Sequence, residues 1–369
     1  MRNKLVLQRI LTGLFVVLVL AASNSIVRAQ GSPPSTNWIA SRGDWFNCNN
    51  WSGVCPNPLV DAHINNGGQA QIQGGPNHAA AYSLTLGDSQ GDSGSLVIDT
   101  DHSAVLDLSG ECRGNIYIGY GGSGTLTIKD DGYIRSRYGY VAALQNSSGN
   151  VTVQGNHTTW YLYDVYDDPE CLGAGLFIGA TANSNSGGTA TVNVSDGAFI
   201  SVHNHDQGAA YAVKVGVSGT LTGNATLEMV GPTGGSITAK VYGTLAPGKS
   251  LTIDGNLDLT SPTNSANTVC HVNPQATPQP NDKVYVTSTT GGGTALLGGR
   301  LTVVGSGTFT AGMSFTLLHA ETQRIGTFFS WSFISKSGLG SCLKATLEYT
   351  AQDVILHIVN TCAEELPEP

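Results

Sequence analysis

A short pattern that occurs twice, and a third time in weaker form, is the feature that most constrains this chain. The segment 116–134 reads IYIGYGGSGTLTIKDDGYI: an apolar strand ending in glycine, a glycine-rich corner, an alternating strand and an Asp-Gly turn. The same order returns over 176–200, and a shorter copy spans 213–221. No single unit could bury an apolar face alone, so the pattern predicts units that stack on one another as a solenoid.

The spacing of the copies predicts the size of each coil. Gly119 in the first copy corresponds to Gly179 in the second, and Ile134 corresponds to Ile200. We interpret this spacing as about three coils of roughly 20 residues each. Coils this short require parallel strands joined by tight corners, which favours a parallel β-helix over a sandwich or a barrel. We expect on the order of nine coils, each rising ~4.8 Å.

Composition and charge limit the classes of fold and partner. The chain has 48 glycines and only 12% charged residues, and after residue 30 it lacks long segments of helical period. These properties indicate an ordered all-β protein rather than a disordered or helical one. The formal charge of -9 argues against nucleic acid or an anionic membrane surface as a partner.

The segment 1–29 has the pattern of a signal peptide. Arg2 and Lys4 precede an apolar run over 11–22, and Ala29 supplies a small residue before the expected cleavage site. A retained N-terminal anchor is the alternative, but the run is short for a membrane span. We therefore expect an exported protein, secreted or at the cell surface, with no membrane span in the mature chain.

The seven cysteines are expected to be oxidised in an exported chain rather than catalytic. Cys48 and Cys55 enclose a loop short enough for a local disulfide, and Cys342 and Cys362 flank the last apparent hairpin. The pairing of the other cysteines stays open. Their spacing does not match that of a zinc site, and we predict no metal site and no cofactor.

The chain divides into six segments. We predict an all-β fold, a single-stranded right-handed parallel β-helix (β-solenoid) with a Trp-rich N-terminal cap and an antiparallel-rich C-terminal cap. Three tryptophans of the N-terminal segment are expected to cover the end of the first coil, with sugar binding as the alternative. The predicted segments are a signal peptide (1–29), a capping segment (30–60), β-helix repeats (61–260), a linker or long turn (261–281), a C-terminal β module (282–362) and a tail (363–369).

Four motifs in order resemble a known group of proteins. They are GDWFNCNNWSGVCPNPLVDAHINNGGQAQI over 43–72, the repeated IGxxGxGTLTI pattern, VYGTLAPGKSLTIDGNLDL over 241–259, and the module over 282–328. This order resembles bacterial secreted or surface β-helix proteins with autotransporter-passenger-type strand repeats. The resemblance implies a right-handed parallel β-helix, export, and surface, matrix or adhesion roles. It supplies no catalytic residue.

Two departures from this resemblance concern the C-terminal part of the sequence. Autotransporters end in a large β-barrel, for which this sequence offers no segment. Relatives often carry a Pro-Glu-Pro sorting signal followed by a hydrophobic helix and basic residues. This sequence ends with Pro367, Glu368 and Pro369, so anchoring at the surface stays open.

The candidate binding residues lie in the aromatic segment WYLYDVY. Trp160, Tyr161, Tyr163 and Tyr166 form this segment together with aliphatic and acidic residues. We interpret 145–172 as a strand with a projecting loop, and 203–212 as a second loop. Loops that project from a repeat scaffold commonly carry binding surfaces. The aromatic residues therefore suggest a module that binds extracellular glycans or surface polymers.

An enzyme is the third reading, since some parallel β-helix proteins cleave polysaccharides. Its candidate residues are Asp164, Asp167, Asp168 and Glu170, with Arg135 and Arg137 earlier in the chain. A solvated acidic loop is the simpler interpretation, and catalysis rests on fold analogy. The segment 203–206 (His-Asn-His-Asp) could hold a metal, but this spacing is weak. We therefore predict a non-enzymatic protein with a structural or adhesive role.

Overall fold

The computed structural model describes residues 32–73, 78–99, 105–108, 114–164, 173–206, 211–232, 237–277, 279–289, 292–335 and 338–362. The chain divides into two compact units, Met1–Pro34 and Ser35–Pro369, and the described strands all belong to the second. The predicted signal peptide over 1–29, the tail over 363–369, and the residues Cys112, Tyr166 and Cys171 lie outside the described residues.

Short strands follow one another in groups of three through most of the described chain. An opening turn contains β1 (Ser35–Asn37), β2 (Arg42–Asp44) and a 3-10 helix (Cys48–Asn50). Coils 1 to 5 contain β3 (Asp61–Ile64), β4 (Asn66–Gln73) and β5 (Ala79–Ala80); β6 (Ser83–Leu86), β7 (Ser93–Asp99) and β8 (Val105–Asp107); β9 (Ile116–Ile118), β10 (Ser123–Lys129) and β11 (Tyr133–Ser136); β12 (Tyr138–Val141), β13 (Ser148–Gln154) and β14 (Thr159–Tyr163); β15 (Gly175–Ile178), β16 (Thr189–Ser195) and β17 (Phe199–His203).

The same order continues to the C-terminal end of the stack. Coils 6 to 9 contain β18 (Val213–Val215), β19 (Gly219–Gly223) and β20 (Thr226–Val230); β21 (Thr238–Val241), β22 (Thr244–Pro247) and β23 (Ser250–Asp254); β24 (Asn256–Asp258), β25 (Asn267–Val272) and β26 (Lys283–Thr287); β27 (Thr294–Leu296), β28 (Arg300–Gly305) and β29 (Ser314–Ala320). A closing turn contains β30 (Gln323–Ile325) and β31 (Ser330–Ser335), and a hairpin follows with β32 (Leu343–Tyr349) and β33 (Asp353–Asn360).

Three sheets, each with eleven of the described strands, run the length of the stack. The first strands of successive turns form the first sheet, the second strands form the second sheet, and the third strands form the third sheet. Every pairing between successive coils is parallel, whereas β33 pairs antiparallel with β29 and β32 pairs antiparallel with β33. The predicted parallel β-helix is therefore confirmed, and its handedness stays a prediction.

Alternation along each strand places one set of side chains inside the coils and the other set outside. In the second sheet, Ile128, Val153 and Val194 occupy one register column and are fully buried. The neighbouring column, which contains Thr127 and Thr152, faces outward. Burying each aliphatic side chain contributes roughly 1.5–3 kcal/mol, so the inward columns supply most of the stabilisation while the outward columns are free to vary.

The repeats that we interpreted as three coils apart are two coils apart. Ile118 pairs with Val141, and Val141 pairs with Ile178, so β12 of coil 4 lies between the two matching strands. The coils are also unequal in length. The two that meet at β13 are longer than predicted, since Val151 pairs with Leu126 on one side and with Val192 on the other, whereas Ala239 pairs with Leu257 after a short coil. The extra residues lie at the corners, where they do not interrupt the strand pairing.

Glycine at the corners of the repeat has a steric cause. Gly119 has a φ of 68°, and a Cβ atom placed there would lie 1.9 Å from the Ser148 carbonyl oxygen. Gly179, its counterpart in coil 5, also has a positive φ. The two Asp-Gly turns reach the left-handed region through different residues. After β10 they are Asp130 and Asp131, and Gly132 is not among them, whereas after β16 they are Asp196 and Gly197. Aspartate tolerates this conformation better than most residues.

The N-terminal capping segment buries its three tryptophans. Trp51 packs edge-to-face against Trp38 and Trp45 at centroid distances of 5.0 and 4.9 Å. The Nε1 of Trp51 donates a hydrogen bond to the Trp45 carbonyl oxygen at 3.0 Å. Because all three indoles are at most 3% exposed, they form an end layer of the core, and the alternative of sugar binding by these rings does not fit their burial.

The parallel stack extends further towards the C-terminus than the predicted segments allow. The predicted linker over 261–281 contains β25, which pairs in parallel with β22 and β28. Within the predicted C-terminal module, strands β26 to β31 also continue the parallel sheets, and only β32 and β33 are antiparallel additions among the described strands. Parallel strands that are solvated on one side alternate as antiparallel ones do, so periodicity could not separate the two.

Both predicted disulfides are present. Cys48 is bonded to Cys55, and Cys342 is bonded to Cys362. The second disulfide joins the residue before β32 to a residue shortly after β33. Cys270 is a free cysteine that is fully buried in β25.

The stacking of inward side chains can be tested by placing a charge at an inward position and at the neighbouring outward position of β10. We expect Ile128→Asp or Ile118→Asp to destabilise the fold by more than about 4 kcal/mol, because each would bury an unpaired charge. Thr127→Asp, the control on the outward side of the same strand, should unfold near the wild-type temperature in circular dichroism. A soluble, fully folded Ile128→Asp protein would contradict this account of the core.

Candidate functional site

The aromatic segment of β14 divides between the inside and the outside of the coil. Trp160 is fully buried, and its Nε1 donates a hydrogen bond to the Ser136 hydroxyl at 3.0 Å. The inclusion of Trp160 among the binding residues is therefore wrong, because strand alternation points its indole into the core. Tyr161 and Tyr163 point outward, as their partial exposure shows.

The outward tyrosines belong to a larger surface on the third sheet. Strand register places Arg135 next to Tyr161, with Tyr133 and Tyr163 diagonally beside them. The next two coils add Ser201, His203 and Glu228 on the same side. We name this surface the third-sheet face, and it consists of Asp107, Tyr133, Arg135, Tyr161, Tyr163, Ser201, His203 and Glu228.

Ring stacking and a cation hold the centre of the third-sheet face. The rings of Tyr161 and Tyr163 stack with centroids 5.4 Å apart, and the Arg135 guanidinium lies 4.1 Å from the Tyr163 centroid. The Nη1 of Arg135 is 4.0 Å from the Asp107 carboxylate, which is longer than a hydrogen bond. The guanidinium therefore lies over the Tyr163 ring and also near the Asp107 carboxylate.

A histidine and a carboxylate complete one side of the face. His203 packs against Tyr161 with a centroid distance of 4.9 Å, and its Nε2 lies 3.5 Å from a Glu228 carboxylate oxygen. Ser201 donates a hydrogen bond to the same oxygen at 2.6 Å. The hydrogen bond from His203 lowers the pKa of Glu228 most, although burial acts in the opposite direction. Glu228 is thus held as a carboxylate at neutral pH.

Burial also affects the tyrosines of the third-sheet face. It raises the pKa of the Tyr133 and Tyr161 hydroxyls, while nearby Arg135 acts in the opposite direction at both. Both groups therefore remain protonated near neutral pH and can donate hydrogen bonds. The face offers aromatic surface, hydroxyl donors, one guanidinium and two carboxylates, which is a combination suited to a polyhydroxylated polymer.

Two segments that we predicted as projecting loops meet at the edge of this face. Asp164 follows β14, has a fully buried side chain, and accepts hydrogen bonds from the backbone N–H groups of Gly173 and His205 at 2.8 and 2.7 Å. The His205 ring lies 2.5 Å from the other carboxylate oxygen. The described ends of the segments 145–172 and 203–212 are therefore fastened to each other through one carboxylate.

The residues proposed for catalysis do not form one cluster in the described chain. The Asp164 side chain is buried, and its carboxylate accepts hydrogen bonds from Gly173 and His205. Asp167, Asp168 and Glu170 lie outside the described residues. Arg135 faces outward from β11, whereas the Nε of Arg137 donates to the Gly173 carbonyl oxygen at 2.8 Å. Arg135 is the member of this set that the structure places on the third-sheet face.

The His-Asn-His-Asp segment does not gather metal ligands. His203 pairs with Glu228, and His205 pairs with Asp164, so the two rings serve different carboxylates. Across the described ranges, no group of three or more histidine, cysteine, aspartate or glutamate residues could hold a metal ion.

The first sheet carries an aromatic ladder that was not predicted from the sequence. Tyr117, Tyr140 and Phe177 occupy one register column, and successive rings stack with centroids 5.1 Å apart. In the sequence these aromatic residues are the second residue of IYI, the third of YGYV and the third of GLFI. Recognising that they form one column requires the correct alignment of the coils. Because the ring faces contact one another, the ladder stabilises the stack more than it offers a binding surface.

A second missed arrangement joins Ser314, His357 and Glu348 across three strands. The Ser314 hydroxyl lies 2.8 Å from Nδ1 of His357, whose Nε2 lies 2.7 Å from the Glu348 carboxylate. Such an order resembles a nucleophile, base and acid, but the trio lies on the outside of an antiparallel sheet whose backbone groups pair between strands. We interpret it as cross-strand support of the hairpin.

A small cavity lies beside the N-terminal cap. It has a volume of about 230 Å³ and is lined mainly by Trp45, Phe46, Pro56, Pro58 and His78. Ligand pockets are commonly about 300–1,000 Å³ and contain several convergent polar groups. The third-sheet face has the richer chemistry and is therefore the candidate site.

Comparisons with known proteins give no match for this chain: no family model, no curated protein and no solved structure is similar to it. In the part of the chain that the structure describes, no helix has the length and apolar character needed to cross a membrane. The two disulfides are compatible with an extracellular protein.

The pairing of His203 with Glu228 predicts a pH dependence of stability. The folded pKa of Glu228 lies below its unfolded value, so the carboxylate stabilises the fold at neutral pH, and this contribution is lost as the pH falls through the folded pKa. Glu228→Gln should therefore lower the urea midpoint at neutral pH, and the difference from wild type should shrink in acid. His203→Ala should weaken this pH dependence, and an unchanged midpoint difference at all pH values would contradict it.

Proposed function

We propose that this protein is an exported, non-enzymatic β-helix protein with a structural or adhesive role at the cell surface or in the extracellular matrix. We further propose that the third-sheet face binds extracellular glycans or surface polymers. The observation that carries the proposal is the convergence of Tyr161, Tyr163 and Arg135 from two adjacent coils onto one outward surface.

The scaffold supports such a role because its outward positions are fixed by the backbone ladder. Residues in one column repeat every ~4.8 Å along the stack, and alternate residues of a strand lie roughly 6.6 Å apart. The third-sheet face is thus a flat grid whose spacing does not depend on loop conformation. A rigid grid binds an extended polymer with little loss of side-chain entropy on binding.

The chemistry of the face favours a carbohydrate over an apolar partner. Tyrosine combines an apolar ring with a hydroxyl group, and arginine presents planar donors that stack on aromatic rings. The face carries one guanidinium, that of Arg135, and two carboxylates, those of Asp107 and Glu228. Neutral or weakly acidic glycans therefore suit it better than a densely charged polyanion.

Export rests on two separate supports. The sequence pattern of residues 1–29 is that of a signal peptide, and disulfides such as Cys48–Cys55 and Cys342–Cys362 persist in oxidising compartments. A polysaccharide lyase or hydrolase on the same scaffold is the alternative, and Arg135 is the residue of its predicted set that lies on the third-sheet face.

Glycan binding by the third-sheet face can be tested with a glycan array and matched variants. We expect Tyr161→Ala and Tyr163→Ala each to weaken binding of the recognised glycan about 10-fold, since a tyrosine in an interface commonly contributes about 1–2 kcal/mol. Tyr285→Ala is the control, because Tyr285 also lies on the third sheet with a cation, Lys283, 4.1 Å from the centre of its ring, but three coils away from β17.

Three outcomes distinguish the readings. Loss of binding in Tyr161→Ala with retention in Tyr285→Ala supports the proposal. The absence of any bound glycan for the wild-type protein would refute the glycan-binding part. New unsaturated or reducing ends released from a polysaccharide by the wild-type protein would replace the non-enzymatic reading with the enzyme.

A further inference from the structure

Arg135 provides the guanidinium of the third-sheet face, and its hydrogen-bonding capacity is not used within the described residues. Its Nε is buried and has no hydrogen-bond partner, and its Nη1 lies 4.0 Å from the Asp107 carboxylate, beyond hydrogen-bond distance. Arg324, in contrast, donates from Nε and Nη2 to the Thr350 carbonyl oxygen at 2.9 and 2.7 Å. Because the Arg135 side chain is 37% exposed, an acceptor that belongs to a ligand can reach it.

Two hydroxyl groups beside Arg135 are donors as well. Register places Tyr161 directly opposite Arg135, and Tyr133 lies two residues earlier on the same strand as Arg135. Burial raises the pKa of both hydroxyls, although Arg135 acts in the opposite direction at each, so both stay protonated near neutral pH. A guanidinium and two hydroxyl donors therefore lie together at the centre of the face, and this set of donors favours an anionic acceptor.

Contact with Tyr163 limits the orientations that the guanidinium can take. The guanidinium lies 4.1 Å from the Tyr163 ring centroid, and the Tyr163 ring is itself stacked on Tyr161. A planar guanidinium held in this way matches the two oxygens of a carboxylate, which it can bind through two parallel hydrogen bonds. A neutral sugar hydroxyl offers one uncharged oxygen, and charge-assisted hydrogen bonds are about twice as strong as neutral ones. The arrangement therefore favours a carboxylate over a neutral hydroxyl at Arg135.

The carboxylates of the face limit how much negative charge a ligand can carry. Asp107 precedes Arg135 in one column of the third sheet, and Tyr161, Ser201 and Glu228 follow it. Glu228 is thus three strands from Arg135, ~14 Å at ~4.8 Å per strand, which exceeds the Debye length of about 8 Å. Asp107 is close to Arg135, but one guanidinium has enough N–H donors for two carboxylates. A single ligand carboxylate is therefore accommodated at Arg135, whereas a polymer with a carboxylate on every sugar would bring like charges to Glu228 as well.

We propose that the third-sheet face recognises a glycan that carries an isolated uronic acid on an otherwise neutral chain. The Arg135 guanidinium binds the carboxylate of this sugar, and the hydroxyl groups of Tyr133 and Tyr161 donate hydrogen bonds to the same sugar. This inference rests on the glycan binding proposed above and names the ligand class of that site. A neutral sugar in its place leaves Arg135 without an anionic acceptor, and a polyuronate meets repulsion along the column.

The test compares matched ligands that differ only in the carboxylate. The probes are neutral-chain oligosaccharides that carry one glucuronic or galacturonic acid, and the same oligosaccharides after chemical reduction of the carboxyl group to a primary alcohol. We expect the wild-type, disulfide-bonded protein to bind one of the acidic probes at least about 10-fold more tightly than its reduced form. This preference should shrink as salt is added, because the ion pair is partly exposed and is screened.

Variants of Arg135 show whether this residue reads the carboxylate. Arg135→Gln should bind the acidic and the reduced probe equally, with the affinity for the reduced probe close to that of wild type. Arg135→Lys keeps the charge without the planar fork and should retain only part of the preference. Arg300→Gln is the matched control, because Arg300 is an exposed arginine at the start of β28 in the second sheet, and it should keep the full preference. Circular dichroism checks that each variant is folded.

The outcomes separate this inference from glycan binding as such. Equal wild-type affinity for the acidic and reduced probes, with both lost in Tyr161→Ala, overturns the uronic-acid inference and leaves glycan binding by the face intact. A preference that persists in Arg135→Gln also overturns it, because another group would then bind the carboxylate. Tighter binding of polygalacturonate or of a sulfated glycan than of every single-acid probe overturns the ligand class. A wild-type protein that binds no glycan at all overturns both proposals.

Discussion

Backbone hydrogen bonding between successive coils is the interaction on which the rest of this structure depends. Each strand takes its register from the one before it, as Leu126, Val151 and Val192 show in the second sheet. A slip of one residue would turn Ile128 and its column towards solvent. The inward aliphatic columns therefore fix the register, and the register in turn fixes every outward side chain.

Fixed register and variable corners together explain how a site arises on this scaffold. The corners absorb insertions of different length, so the coils differ in length without any change in the ladder. Arg135, Tyr161 and Ser201 are far apart in sequence yet lie in one column of the third sheet. The third-sheet face is thus assembled by the stack, while the insertions border it at Asp164 and His205.

The sequence was sufficient for the class of fold and insufficient for its register. Glycine corners and Asp-Gly turns recur because of steric demands that any equivalent corner shares, so 116–134 and 176–200 could be matched by eye. The coil between them has Tyr-Gly-Tyr-Val in place of the apolar strand and an aromatic third strand, so it was not recognised as a copy. The spacing between the two matching segments was therefore divided into three short coils instead of two longer ones.

The candidate site, like the fold, could be predicted from the sequence only in part. Tyr161 and Tyr163 could be selected because aromatic residues beside a loop suggest binding, but the inward position of Trp160 depends on the phase of the alternation, which a run of aromatic and aliphatic residues does not reveal. The partners Arg135, His203 and Glu228 come from other coils. Their proximity follows only from the pairing of strands, which no local pattern encodes.

The disulfide between Cys342 and Cys362 has a consequence for how this stack loses and regains its end. In a linear array, fraying begins at the terminal units, because they contact a neighbour on one side only. The hairpin β32–β33 is such a unit, yet its two strands are covalently joined at their open ends. It can leave the third sheet only as a closed loop and can return without searching for its own partner strand, which makes the last step of assembly a docking event instead of a folding event.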